Sequence, residues 1–380
     1  ITNISVIEIT DDTNLPRINY EGFSYDGSGN IIPDSGCGSW LFEPQSTNLV
    51  TYSEDFSDAS WVKTNTTISS NSVTSPNGTI DADYLQENSS NATHIIRQDF
   101  SLSATSYTLS IFAKQGAGSE RQIGLLFTSN SSGALFNLTD GSVISTIGTP
   151  ITKAQEMGNG WYRFSITTTS PAITENCRIY LGNNGVWTAA YQGDGTSGVY
   201  IWGAMLEENS FSTSYIPTSG SQVTRNQDLC TGGGSLATIN STEGTLYFEG
   251  AALSNDGTFK FISLNTNASN RLRLGYSSTT NKISVLIQVD GAVKFNNSQI
   301  GNINQVDFNK IAVSYSASGV KVFVNGVEVN SNTVNSSFAL LNKLDFRDGD
   351  TLNPFFGKTK ALAVWKEALS DQELTELTTI

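Results

Sequence analysis

The run WYRFSITTTS (161–170), the loop NNGVWTAAYQGDG (183–195), the run TSGVYIWGAMLEE (196–208) and the tail FSTSYIP (211–217) decide the fold. Tyr162, Phe164 and Ile166 alternate with Trp161, Arg163 and Ser165, the period-two pattern of a strand with one buried face. Val199 to Leu206 is apolar on both faces and reads as a central strand covered on two sides. Further strands are expected over Tyr107 to Ala113, Arg121 to Phe127 and Arg178 to Leu181, separated by turn-forming Asn, Gly and Ser clusters. The pattern is that of an antiparallel β-sandwich.

At 380 residues the chain exceeds one ordinary core and divides into two domains. An irregular extension over residues 1–45 holds Ile4, Val6 and Ile9 but is rich in glycine. It is expected to pack on the following domain or on a neighbouring subunit. The first sandwich takes 46–230, a glycine-rich linker 231–241 (Gly232, Gly233, Gly234) follows, and a second sandwich takes 242–380. In that second half Leu246 and Phe248, Leu272 and Leu274, Ile283, Val285 and Ile287, and Val320, Val322 and Val324 each mark one face of a strand. Asp290-Gly291 and Asn325-Gly326 are hairpin turns, since both dipeptides accept the positive φ of primed turns. At the end Ser370 and Glu373 form a capping box for a short helix, with Leu374 and Leu377 facing inward. The class is all-β: two antiparallel jelly-roll sandwiches in tandem.

The formal charge is −14. Residues 1–230 carry 9 Lys and Arg against 22 Asp and Glu, whereas the remainder carries 12 against 13. An acidic surface without a basic patch repels phosphate backbones, so nucleic acid is excluded as a partner. No apolar run approaches the roughly 20 residues of a membrane-spanning helix, so no membrane insertion is expected.

Catalysis has little to work with. The one histidine, His94, sits in no hydrolase motif and reads as a surface or core-edge residue. The acidic clusters have no spacing that marks a glycosidase pair, so no catalytic residue is assigned. Hard oxygen ligands do cluster at Asp81, Asp83 and Asn88 and at Asp345, Asp348 and Asp350, the donor type of structural calcium, and no other cofactor is called for. Sugar recognition would use aromatic rings against the apolar face of a pyranose with polar groups on its hydroxyls. Trp161, Trp202 and Trp365 lie in strand patterns and read as core. Trp187 and Tyr191 lie in a polar loop and read as exposed, with Asn183, Asn184 and Asp194 as hydroxyl partners. Trp61, after an acidic turn, is a further candidate.

LPRINY (15–20), LFEPQSTNLVTYSEDFSDASW (41–61), GNGWYRFSI (158–166), GDGTSGVYIWGAMLEE (193–208) and TSYIPTSGSQVTR (213–225) come in an order that resembles the carbohydrate-binding-like modules of bacteriophage structural proteins. KIAVSYSASGVKVFVNG (310–326) and ALAVWKEALSDQELTEL (361–377) resemble a laminin-G or concanavalin-A-like jelly roll. Together these resemblances imply a non-enzymatic virion protein, a tail fibre, spike or head decoration, that binds polysaccharide or cell-surface glycan for host adhesion. Its implied partners include other virion proteins, and fibres of this kind point to a homotrimer. Two rival roles are a purely structural virion protein binding sibling subunits and the binding region of a polysaccharide depolymerase.

Cys37, Cys177 and Cys230 are too few and too scattered for a disulfide framework or a zinc site. The denatured, unreduced chain is expected to titrate three thiols, and a count of one would reveal a disulfide.

Overall fold

The computed structural model describes residues 17–19, 23–25, 31–33, 38–170, 173–338, 340–349 and 352–380. Among the described residues strands make up 55%, and the one helix is Asp371–Thr378. The chain forms two compact units. Among the described residues, one comprises those of 45–225 with Tyr25 and Ile31; the other comprises those of 226–380 with 17–19, 23–24, 32–33 and 38–44.

The unit of residues 45–225 pairs two six-stranded antiparallel sheets. The first runs Val143–Ile147, Ser132–Phe136, Gln122–Phe127, Ile173–Gly182, His94–Leu102, Val62–Thr64. The second runs Ile151–Gly158, Trp161–Ser170, Thr105–Gln115, Gly198–Glu207, Ile80–Glu87, Thr66–Thr74. Leu85, Ile111, Ile123, Phe127, Phe164, Ile179, Val199 and Ile201 fill the core. Strict alternation along Gly198–Glu207 would bring Gly203 and Met205 inward after Ile201. Instead Ala204 and Leu206 face the core, because Gly203 takes φ 62° where the register with Thr105–Gln115 shifts. The bulge reverses the parity of the strand. A Cβ at Gly203 would lie 2.8 Å from the Phe112 ring, so the close packing there also excludes a side chain.

On the far face of the second sheet, Trp161 and Trp202 pack with Phe112 and Ala82 and are buried, as expected. The strand reads as covered on both faces for that reason.

The other unit stacks a seven-stranded sheet on a five-stranded one. The seven strands are Arg17–Asn19, Ser39–Phe42, Gly357–Trp365, Gly244–Ala252, Asn309–Ser316, Gly319–Val324 and Val327–Asn332; the five are Ala292–Ile300, Ile283–Val289, Asn270–Tyr276, Lys260–Asn267 and Lys343–Asp345. The alternating residues named from sequence meet in one core. Both hairpins form: Asp290 and Gly291 have φ 49° and 80°, and Asn325 and Gly326 have 50° and 82°. The helix begins in the expected capping box. Leu374 and Leu377 pack on Tyr247, Ala312 and Phe323 on the outer face of the sheet, away from the main core.

Two sequence expectations change. Ser39–Phe42, within the extension expected to pack on the following domain or on a neighbouring subunit, pairs instead with Gly357–Trp365 of the C-terminal unit, and Phe42 is buried and stacks on Phe346 at 4.3 Å. Nor does the glycine run hang free as a linker. Gly233 exchanges backbone bonds with Leu344 at 2.9 and 2.6 Å, and Gly232 N–H donates to Asp345 Oδ1 at 2.7 Å. The division between units falls at residues 225 and 226. Cys177 and Cys230 are free thiols, while Cys37 lies outside the described residues.

Trp365 is partly buried on the outer sheet face beside Tyr247, a satellite of the core.

Candidate functional site

The loop expected to offer aromatics to a ligand is closed. Asn184 and Gly185, with φ 48° and 82°, make a tight turn in which Asn183 and Val186 exchange backbone bonds at 2.8 and 2.9 Å. The turn folds Trp187 back onto Tyr180, 5.4 Å between ring centroids, among Ile95, Leu126 and Leu135. Trp187 is 4% exposed. Gly124 makes room for it, since a Cβ there would sit 2.4 Å from the indole.

Tyr191 is buried as well, and its hydroxyl donates to Glu87 Oε2 at 2.8 Å. Arg121 grips the same carboxylate through Nε at 2.8 Å and Nη2 at 2.6 Å, and the Asp194 N–H adds a bond of 2.8 Å. Burial, the largest single influence, would raise Glu87, yet the bonds from Arg121, the Asp194 amide and Tyr191 together outweigh it and hold the carboxyl below its ordinary value. Asp194 binds Arg121 at 3.1 Å and accepts from Ser197 and Thr196; the Ser197 bonds foremost depress its pKa. His94 is fully buried against Tyr191, with Nδ1 2.8 Å from Asn65 O, so it is core and not surface. Trp61 is also core: its indole N–H donates to Tyr52 O at 2.8 Å. The residues chosen as a sugar platform therefore close a buried polar knot, and only Asn184 and Asp194 of the set are exposed.

The acidic clusters separate in the same way. Asp345 bonds Gly232 N–H, Asn265 and Lys343, while Asp348 bonds Arg271 at 3.2 Å and Arg273 at 2.9 Å. Their charge is consumed inside the fold; Asp350 lies outside the described residues. Asn88 caps Ser90 at the opposite end of the Ile80–Glu87 strand from Asp81. Among the described residues no three His, Cys, Asp or Glu side chains converge as a metal site.

Asp81 and Asp83 nevertheless share a cleft of about 400 Å³ with Glu54, Asp55, Tyr52, Asn71 and Ser219. Two residues apart on one strand, the two Asp reach the same opening. Asp83 is 1% exposed, and its oxygens accept from Phe56 N–H and Asn71 N–H, both at 3.0 Å, tying the turn at Phe56 and the neighbouring Thr66–Thr74 strand to its own. Burial raises its pKa to about 6. Glu54 is raised too, first by burial, and accepts from Tyr215 at 3.1 Å. Asp81 Oδ2 accepts from Asn77 and Thr79, and although burial would raise its pKa, hydrogen bonds from Ser75, Thr79, Asn77 and Trp202 hold the carboxyl below its ordinary value. Lys63, the nearby cation, spends its ammonium on Ser57 O and Asp58 O. The result is a half-enclosed set of acceptors without an ion-pair partner among the described residues. Sequence reasoning had Asp81 and Asp83 but missed Glu54 and Asp55 as their companions, which the chain places 26 or more positions away.

Residues 224–375 match the family model of the concanavalin A-like lectin/glucanases superfamily. A search of curated proteins finds no match. Among solved structures the chain is similar to the SAP-like pentraxin of Limulus polyphemus (13% identity, 38% of this chain and 72% of that one, TM-score 0.32). It is also similar to the CBM40 of Ruminococcus gnavus IT-sialidase (18%, 37% and 84%, 0.30) and to mouse laminin α1 domains LG4-5 (11%, 74% and 90%, 0.26). Over residues 224–375, then, the chain is similar to the concanavalin A-like lectin fold.

Two outcomes follow from the geometry. Trp187→Ala should cost about 3–5 kcal/mol in denaturant unfolding, the penalty of an emptied core site; an unchanged midpoint would return Trp187 to the surface. Carboxyl ¹³C titration should place Asp83 near 6. Because that folded-state value lies above the unfolded one, ionising Asp83 opposes folding, and this penalty is full above pH 6 and fades as pH falls toward 4.

Proposed function

We propose that the chain is a non-catalytic carbohydrate-binding protein whose cleft at Glu54, Asp55 and Asp81 takes a neutral sugar. The observation that carries the reading is that three carboxylates, Glu54, Asp55 and Asp81, gather around one opening whose lining holds no cation. At the other end of the strand Glu87 is matched by Arg121, and at the base of the cleft Asp83 is matched by backbone amides. Sugar hydroxyls are donors that suit such acceptors, and a carboxylate can take two vicinal hydroxyls at once. The negative charge disfavours sialylated or uronate chains at this site. The lectin fold of residues 224–375 supports the same class of partner.

The virion setting, adhesion to a host surface and a trimeric state are part of this proposal, and they rest on the order of motifs between Leu15 and Arg225. No catalytic role is assigned to the cleft. Asp83 has its raised pKa, but both its oxygens are engaged by amides and it is nearly inaccessible, so it is ill placed to hand a proton to a glycosidic oxygen.

A glycan array probed with the full chain should show binding to neutral glycans. Hydrogen bonds to a charged acceptor contribute about 1.5–3 kcal/mol, so Glu54→Gln or Asp55→Ala should weaken binding roughly 10- to 100-fold while the thermal midpoint holds. Neutral-glycan binding that survives both substitutions would remove the cleft from the reading.

A further inference from the structure

The outer face of the seven-stranded sheet carries a second opening. Thr245 pairs with Ser314, Ser314 with Lys321 and Lys321 with Ser331, so these four side chains stand on one rung. Val313, Val320 and Val322, their neighbours in sequence, point into the core, so the rung faces away from it. Residues 367–369 cross over the Thr245 end. The Thr245 hydroxyl donates to Glu367 O at 3.0 Å and accepts from Leu369 N–H at 3.1 Å. What they leave uncovered is a groove of about 650 Å³ lined by Ser314, Ser316, Lys321 and Ser331, with Leu369 as one wall. Its size is that of a small-ligand site.

The edge strand packs closely at one end of this groove. Gly319, paired with Ser316, has φ 138°, and a Cβ there would meet Asn332 O at 1.9 Å. No other residue fits that position without moving the edge strand.

The lining chemistry differs from that of the acidic cleft. Serine hydroxyls both donate and accept, and the one cation, Lys321, is matched by Asp371 in the first turn of the helix. The groove is therefore close to neutral overall, which leaves no excess charge to draw a phosphate or carboxylate and suits an uncharged polyhydroxyl chain. We infer that it is a second carbohydrate site, selective for a neutral oligosaccharide, so that one chain holds two sites of different chemistry. This rests on the reading that the chain binds carbohydrate. Two weak sites on one polypeptide would raise the avidity for a polymeric glycan beyond either alone.

The test uses the full chain, titrated calorimetrically with neutral hexasaccharides of glucan, mannan and galactan type and with sialyllactose as the anionic control. Ser331→Trp fills the groove from an exposed edge strand, and Lys321→Ala alters its chemistry without filling it. The expected result is a neutral hexasaccharide whose affinity falls at least tenfold in Ser331→Trp and measurably in Lys321→Ala, with thermal midpoints unchanged and with Glu54→Gln leaving this binding intact. If both groove variants bind every hexasaccharide as the unmodified chain does while Glu54→Gln loses binding, the groove is no site and the cleft stands. Silence of the unmodified chain toward all the saccharides would overturn both.

Discussion

A strand shows alternate side chains to opposite faces, and this constraint on Ile80–Glu87 governs much of its unit. Leu85 sits at the centre of the core and is fully buried. Asp83 and Glu87, two positions to either side, are thereby carried into the interior as carboxylates. Burying a charge without a partner is costly, so each must be matched. Glu87 meets the fork of Arg121, the Tyr191 hydroxyl and the Asp194 amide. Asp83 meets the amides of Phe56 and Asn71.

Those two solutions have opposite consequences at the two ends of the strand. At the Glu87 end two of the partners, Tyr191 and Asp194, are drawn from the loop after residue 183, whose Trp187 is seated on Tyr180. At the Asp83 end the partners are backbone amides; the Phe56 side chain turns into the core while Asn71 lines an opening. Asp81, Glu54 and Asp55 gather there with no cation among them. The acidic excess of the first 230 residues is therefore not evenly reactive: part of it is neutralised inside the fold, and part is concentrated in one cleft.

In the C-terminal half the buried acids are matched by bases. Asp345 and Asp348 are held by Lys343, Arg271 and Arg273, and the more exposed Asp371 by Lys321. The groove of that half is lined by hydroxyls and one lysine, with no carboxylate in its lining. The two halves thus present different chemistry on similar sandwich architecture.

The sequence by itself determined the all-β class, the strand faces of the second half, the two primed hairpins and the capped helix. Each depends on interactions within a few residues: side-chain alternation, a positive φ at Asn or Asp before Gly, a Ser and a Glu three apart. Tertiary structure alone decided burial and pairing. Whether Trp187 lies in or out turns on Gly124, a missing side chain more than 60 positions away in sequence, and Asp83 and Asp345 had the same local signature until distant amides and amines were brought to one and not the other. The route of the chain was likewise hidden, because Ser39–Phe42 joins the later sheet through backbone bonds that every residue type can make. A local pattern tells which way a side chain points; only the fold tells what is waiting there.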